Sequence, residues 1–264
     1  MRPVDYHTHT PLCGHASGTP EEYIRAAVDR SFAEIGFSDH APLPELMREG
    51  ITMRPEDAEK YISVIEAERD HFRDTIPVKL GFEIDYPLQP SFDRRFLADP
   101  RFDYLIGSCH YIDGWGFDHP REAAEFEKRD IDAVYADYYR IMYDLVRSGM
   151  FNIVGHFDLV KKFGHRAKGA FRTEIARLAA ECARRDIAVE INTAGLRKPV
   201  SEIYPSDYII EILFEHNTPV TLGSDAHEPG EIGYAFDAAI EKLRKAGYTK
   251  ISGFSKRRRY DILL

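Results

Sequence analysis

Pro3-Val4-Asp5-Tyr6-His7-Thr8-His9 opens the chain with a short strand that runs into two histidines. An open doubly wound sheet usually carries a glycine-rich phosphate loop after its first strand. Here a His-x-His pair stands in that place. Further short apolar, β-branched runs, each ending in polar residues or glycine, are Ala33–Phe37, Val78–Ile84, Tyr104–Ile106, Asn152–Val154, Ala188–Ile191 and Pro219–Leu222. Amphipathic helices separate them. One starts at the capping box Thr19-Pro20-Glu21-Glu22, and a long one over Ile131–Val146 closes at Gly149. Strands alternating with helices imply a parallel α/β sheet. Seven such units in 264 residues predict a closed barrel, with the open sheet as the alternative. No linker composition divides the chain, so residues 1–264 are expected to form one domain.

Composition narrows the function. Apolar residues make up 44% and charged residues 30%, which suits a globular chain with a sizeable core. The net charge of −9 gives no global attraction to nucleic acid or an anionic membrane surface. Neither partner is therefore expected. The first residues lack the apolar stretch of a signal peptide, and no run approaches the ~18 apolar residues of a membrane helix; a cytoplasmic location is expected. Cys13, Cys109 and Cys182 are too scattered for a disulfide framework. The basic run Lys256-Arg257-Arg258-Arg259 reads as a solvated tail or a helix end.

The strand ends carry the chemistry. His7, His9 and His15 follow the first strand, and Asp39 and His40 the second. The third bears Glu83 and Asp85, and the fourth leads to His110. His156 and Asp158 follow the fifth, Asn192 the sixth, and Asp225 and His227 the seventh. In a parallel barrel these ends converge on one face. Side chains alternate along a strand, so His7 and His9 point the same way and can chelate one ion, and Asp225 and His227 repeat that geometry. Imidazole and carboxylate donors suit zinc, iron or manganese.

The nine candidates His7, His9, His15, His40, Glu83, His110, His156, Asp225 and His227 exceed what one ion needs. Two or three divalent ions, with Glu83 bridging two, fit the count. Such a site generates hydroxide near neutral pH and clamps both oxygens of a phosphoryl displacement. Glu83, Asp225 and Asp39 are the carboxylates expected to serve catalysis. An anionic substrate needs local positive charge; Arg197, Lys162 and Arg166 lie on loops after strands five and six, and His119 follows strand four. These four are the expected substrate contacts. Cys13 and Cys109, beside ligand candidates, read as packing residues, and His71 and His216 as surface residues.

As a set, these motifs resemble the polymerase and histidinol phosphatase (PHP) superfamily. His7-Thr8-His9-Thr10-Pro11-Leu12-Cys13-Gly14-His15 is similar to its opening motif. Ser38-Asp39-His40, Gly81–Asp85, Gly107–His110, Gly155–Asp158 and Gly223–His227 resemble the later ones in order, with Ser38 where threonine is common. Lys161–Arg166 and Glu190–Lys198 look like the histidinol-phosphatase branch.

The resemblance, which runs from residue 1 to about 233, implies a distorted barrel of seven β/α units and a trinuclear site. One ion would take His7, His9, Glu83 and Asp225, a second Glu83, His110 and His156, and a third His15, His40 and His227. The implied reaction is hydrolysis of L-histidinol phosphate, a small-molecule phosphate ester, in histidine biosynthesis. The competing readings are a phosphoesterase for another small ester or nucleotide, and an inactive metal-stabilised scaffold. Rates of phosphate release discriminate among them.

Overall fold

The computed structural model describes residues 2–48 and 50–264. Val4–Asp5 (β1), Glu34–Phe37 (β2) and Val78–Leu80 (β3) form a parallel three-stranded sheet. Glu83–Asp85 (β4), Ile106–Ser108 (β5), Ile153–Val154 (β6), Ala188–Asn192 (β7) and Val220–Gly223 (β8) form a parallel five-stranded one. The run Val78–Ile84, expected as one strand, is therefore interrupted. Before Gly81 it pairs with β2; after Phe82 it pairs with β5. At the break Gly81 lies against the Tyr104 ring, where a Cβ would come within 2.7 Å. Tyr104 in turn is not in β5, which begins at Ile106; its hydroxyl donates to the Tyr6 carbonyl at 2.6 Å.

Isolated parallel bridges join the edges of the two sheets, His40 with Glu83 on one side and Thr8 with Ala226 on the other. Backbone bonds reinforce both seams: Ala41 N–H donates to Glu83 at 2.8 Å, and His9 N–H to Ala226 at 2.9 Å. Counting β3 and β4 as one interrupted strand, the parallel strands occupy seven places around a distorted ring. Both faces are covered, so a strand such as β7 is buried at every position rather than alternating.

The helices are Pro20–Asp29 (α1), Glu45–Arg48 (α2), Ala58–His71 (α3), Ile131–Ser148 (α4), Arg172–Arg185 (α5), Asp207–Glu215 (α6) and Phe236–Ala246 (α7). Thr19 caps α1 by accepting from Glu22 N–H at 3.3 Å, while the Glu22 carboxylate accepts from Thr19 N–H at 2.6 Å. Their apolar faces, such as Ile24 and Ala27 of α1 or Tyr138 and Met142 of α4, join the strands in one core. None of the described helices is long and apolar enough to cross a membrane.

The basic run is neither a solvated tail nor a helix end. Lys250–Ser255 (β9) and Arg258–Leu263 (β10) pair as an antiparallel hairpin, with Lys256 and Arg257 at positive φ in its turn. The hairpin lies across the N-terminal ends of the barrel strands. Arg257 donates to the carbonyls of Met150 at 2.6 Å and Leu97 at 3.1 Å, and also to the Asn152 side chain. Phe254 packs edge-on against Tyr6, ring centroids 5.6 Å apart. Of the four basic residues it is Arg257 that closes the floor of the barrel, because hydrogen-bond acceptors of the pre-strand loops meet it there, while Lys256 and Arg258 are exposed.

Candidate metal centre

The opposite face is built from strand ends. Asp5 in β1 accepts backbone N–H bonds from His7 at 3.3 Å, Ser224 at 2.9 Å and Gly233 at 3.0 Å, tying the first strand to the loop after β8. Gly223 has no side chain for a steric reason: a Cβ there would lie 2.8 Å from His7 Cβ and collide with the Glu190 carboxylate. Glu190 can therefore reach His7 Nδ1 at 2.6 Å. Asp225 has φ +53°, a backbone that few residues besides glycine, asparagine and aspartate adopt readily. Arg197 donates to the Ser224 and Asp225 carbonyls at 2.9 and 3.1 Å, which braces that turn.

Donor atoms fall into four groups, each with its members within 4.8 Å of one another: His7, His9 and Asp225; Glu83, His110 and His156; His9, His40 and His227; and Cys13, His15 and His227. The first two groups meet at Glu83. Its Oε1 lies 2.9 Å from His156 Nε2 and 3.6 Å from His110 Nε2, and Ser108 Oγ donates to it at 2.6 Å. Its Oε2 lies 3.3 Å from His7 Nε2, 3.8 Å from His9 Nε2 and 2.9 Å from His40 Nδ1. One carboxylate thus faces both groups. His15 and His40 do not share a group: His15 clusters with Cys13, while His40 reaches Glu83.

Carboxylates can only accept when ionised, which settles which imidazole nitrogens hold protons. His7 Nδ1–H donates to Glu190 and His110 Nδ1–H to Asp85 at 2.8 Å, so both present Nε2 to the centre. Asp39, fully buried, lies 3.6 Å from His9 Nδ1, while Asp225 lies 3.2 Å from His9 Nε2. Asp39 therefore stands behind His9, held by Thr10 and by His40 N–H at 2.9 Å, and not at the open face.

The electrostatics favour cations here. Burial alone would lower the pKa of His7; Glu190, Glu83 and Asp225 outweigh it and raise it well above the ordinary value. Burial likewise opposes, but Asp225 and Asp39 lift His9 to about 9, and Asp85 and Asp118 lift His110 to about 10. Burial would raise Glu83, yet His7, His40 and His110 hold it well below the carboxylate range. At the outer side the sign reverses. Burial and the neighbouring His40 and His9 push His15 down to about 4, and burial and His9 push His227 well down.

The residues fit divalent metal ions by a structural test. Among the described residues, His7 Nε2, both His9 ring nitrogens, Glu83 Oε2 and His227 Nε2 are buried without hydrogen-bond partners. Such atoms cost roughly 1–3 kcal/mol each when nothing satisfies them. His7 Nε2, His9 Nε2, Glu83 Oε2 and His227 Nε2 can each offer a lone pair to zinc, iron or manganese, while His9 Nδ1 faces Asp39.

The expected substrate contacts are placed differently. Arg197 pairs through Nε with Glu231 at 2.8 Å, Lys162 with Asp118 at 3.0 Å and Arg166 with Glu202 at 2.9 Å. Their charge is thus locally balanced, because a neighbouring loop brings a carboxylate to each. His119 accepts from Arg121 N–H at 3.2 Å and caps the short helix that follows; it belongs to none of the four donor groups. Sequence reasoning passed over Asp5, Glu190, Ser108 and Asp118. The signal for the first two was period-two spacing: Asp5-x-His7-x-His9 and Glu190-x-Asn192 continue one face of a strand inward.

Comparison with known proteins adds the following. The PHP domain family model matches residues 5–194. A Deinococcus radiodurans protein named "Probable histidinol-phosphatase" is 42% identical over 244 residues, which cover 92% of this chain and 93% of that one. The histidinol-phosphatase of Bacillus subtilis is 28% identical over 270 residues, covering 92% of this chain and 100% of its own. The crystal structure of histidinol phosphate phosphatase from Lactococcus lactis, complexed with zinc, L-histidinol and phosphate, matches with a TM-score of 0.78 at 22% identity over 98% of this chain and 99% of that one.

Proposed function

The chain belongs to the PHP family, and from that premise we propose that it is a metal-dependent phosphomonoesterase hydrolysing L-histidinol phosphate to L-histidinol and phosphate. The observation that carries this is Glu83, whose two oxygens face two separate donor groups lined by unpartnered buried nitrogens. The substrate follows from the relatives, named histidinol-phosphatases over nearly their whole length. Residues 1–264 act as one metallophosphatase domain in this reading.

Three divalent ions fit the donor count. His7, His9, Glu83 and Asp225 would hold one, Glu83, His110 and His156 a second, and His227 would anchor the outer one, with His40 on its inner side toward Glu83 and His15 on its outer side. Bound ions of this kind polarise phosphoryl oxygens and lower the pKa of water. The protein supplies the rest. Glu190 and Asp85 fix the imidazoles of His7 and His110 so that Nε2 faces inward. Asp39 positions His9 from behind. Asp225 is held in its turn by Arg197, which leaves Nη1 buried and free of partners among the described residues. Lys162, steadied by Asp118, lies on the loop after β6 and supplies positive charge for an incoming phosphate.

Steady-state phosphate release from L-histidinol phosphate, set against a nucleoside monophosphate and a dinucleotide, tests the reading. Preference for histidinol phosphate by at least tenfold in kcat/KM is expected. Faster turnover of another ester would move the assignment elsewhere in the family, and silence on all substrates by metal-loaded protein would favour a scaffold.

A further inference from the structure

Cys13 enters none of the ion assignments above, yet its sulfur shares a group with His15 and His227. Local backbone brings it there. Pro11–Cys13 form one turn of 3-10 helix, and Gly14, at φ +88°, reverses the chain so that Cys13 and His15 face the same space. His15 Nδ1 lies 3.3 Å from the Cys13 carbonyl and His227 Nδ1 lies 3.0 Å from the Asp225 carbonyl. A carbonyl can only accept, so both Nδ1 atoms carry protons and both Nε2 atoms carry lone pairs. The His227 Nε2 is buried without a partner among the described residues. Cys13 is fully buried and reduced. A thiolate and two imidazoles around one ion, at about 2.3 Å for sulfur and about 2.0 Å for nitrogen, keep their donor atoms inside the separation found here.

We propose that Cys13 is a ligand of the outer metal position, completing a sulfur–nitrogen donor set with His15 and His227 that selects zinc-like ions over manganese. The thiol proton leaves to solvent as the ion binds, and the sulfur donates its lone pair to the ion. Hard ions such as manganese prefer oxygen donors, and soft thiolate shifts the preference toward zinc and cobalt. The inner positions, built from imidazole and carboxylate alone, do not discriminate in this way. The proposal rests on the metal-centre reading above.

Cobalt(II) substitution tests it spectroscopically. Chelated protein is reloaded with cobalt, and bound cobalt is quantified beside the absorption spectrum. Wild type should show a thiolate-to-cobalt charge-transfer band in the near ultraviolet as well as visible ligand-field bands. Cys13→Ser should lose the charge-transfer band and keep the ligand-field bands of the inner ions; Cys109→Ser should keep both. Zinc affinity of the outermost ion should fall roughly tenfold or more in Cys13→Ser, with manganese affinity little changed. Cobalt bound to wild type without the charge-transfer band would overturn the role of Cys13 alone, whether or not the serine variant folds. Wild type that binds no cobalt at all would overturn the metal-centre reading and this proposal with it.

Discussion

At the N-terminal ends of the strands, Asp103 accepts from Leu80 N–H and Lys256 N–H at 3.1 Å each, Arg257 reaches two carbonyls and an amide, and Tyr6 donates to Glu34 at 2.9 Å. At the C-terminal ends, His7, His9, Glu83 and His227 also crowd together in the interior, but with nitrogens and an oxygen that no protein group satisfies among the described residues. None of those unsatisfied atoms belongs to the hairpin, Tyr6, Asp103, Tyr104 or Asn152. Both ends bury polar chemistry. The floor is self-sufficient, as expected of groups selected for stability. The roof is incomplete without a cation, and that incompleteness separates function from architecture in this chain.

The sharpest way to break the contrast is to remove the ions. Exhaustive chelation should lower phosphatase activity by roughly three orders of magnitude or more, while circular dichroism reports a barrel still folded on its intact floor. Full activity after elemental analysis confirms metal loss would end the distinction. Next in size is Glu83→Gln, which removes the charge facing both donor groups; kcat should drop roughly 100- to 1,000-fold and bound metal should fall with it. Wild-type metal content in that variant would rule out a bridge.

Smaller is Arg197→Ala. A charge-assisted hydrogen bond is worth about 1.5–3 kcal/mol, so kcat/KM should fall roughly tenfold to 100-fold. Because Arg197 braces the Asp225 turn, metal occupancy should fall too, and Arg197→Lys should restore only part. Unchanged metal with a raised KM would instead make Arg197 a direct phosphate contact. Least of all on turnover is Arg257→Ala at the floor. Its kcat per folded molecule should stay within about twofold. Its stability should drop by roughly 1–3 kcal/mol as three partly buried acceptors lose their donor, read as a melting temperature lower by roughly 2–4 °C per kcal/mol.

How much of this was legible in the sequence differs between the two ends for the same reason. At the roof, His7, His9, Asp225 and His227 stand at strand ends with period-two spacing, a pattern short enough to read without tertiary knowledge. At the floor, Arg257 meets Met150, Leu97 and Asn152, partners roughly a hundred or more residues away that no local periodicity announces. The same blindness explains the loop charges: Arg197, Lys162 and Arg166 read as unpaired because Glu231, Asp118 and Glu202 come from other segments. The break at Gly81 was hidden because both halves of that strand are apolar. The close packing of Gly81 on the Tyr104 ring, which marks the break, is a tertiary contact that the apolar pattern does not announce.

The two seams of the ring have a kinetic meaning. The three-stranded sheet is drawn from residues before 81 and the five-stranded sheet from residues after 82, so each ladder pairs strands that are near neighbours along the chain. The Thr8–Ala226 seam joins the two extremes, and closing so long a loop is the entropically expensive contact of the whole topology. His7 and His9 lie on one lip of that seam and Asp225 and His227 on the other. A nascent or partly unfolded chain can hold most of its strands paired and still have no complete ligand set. Competence to turn over substrate therefore requires the Thr8–Ala226 seam to be closed, because its two lips each carry part of the ligand set.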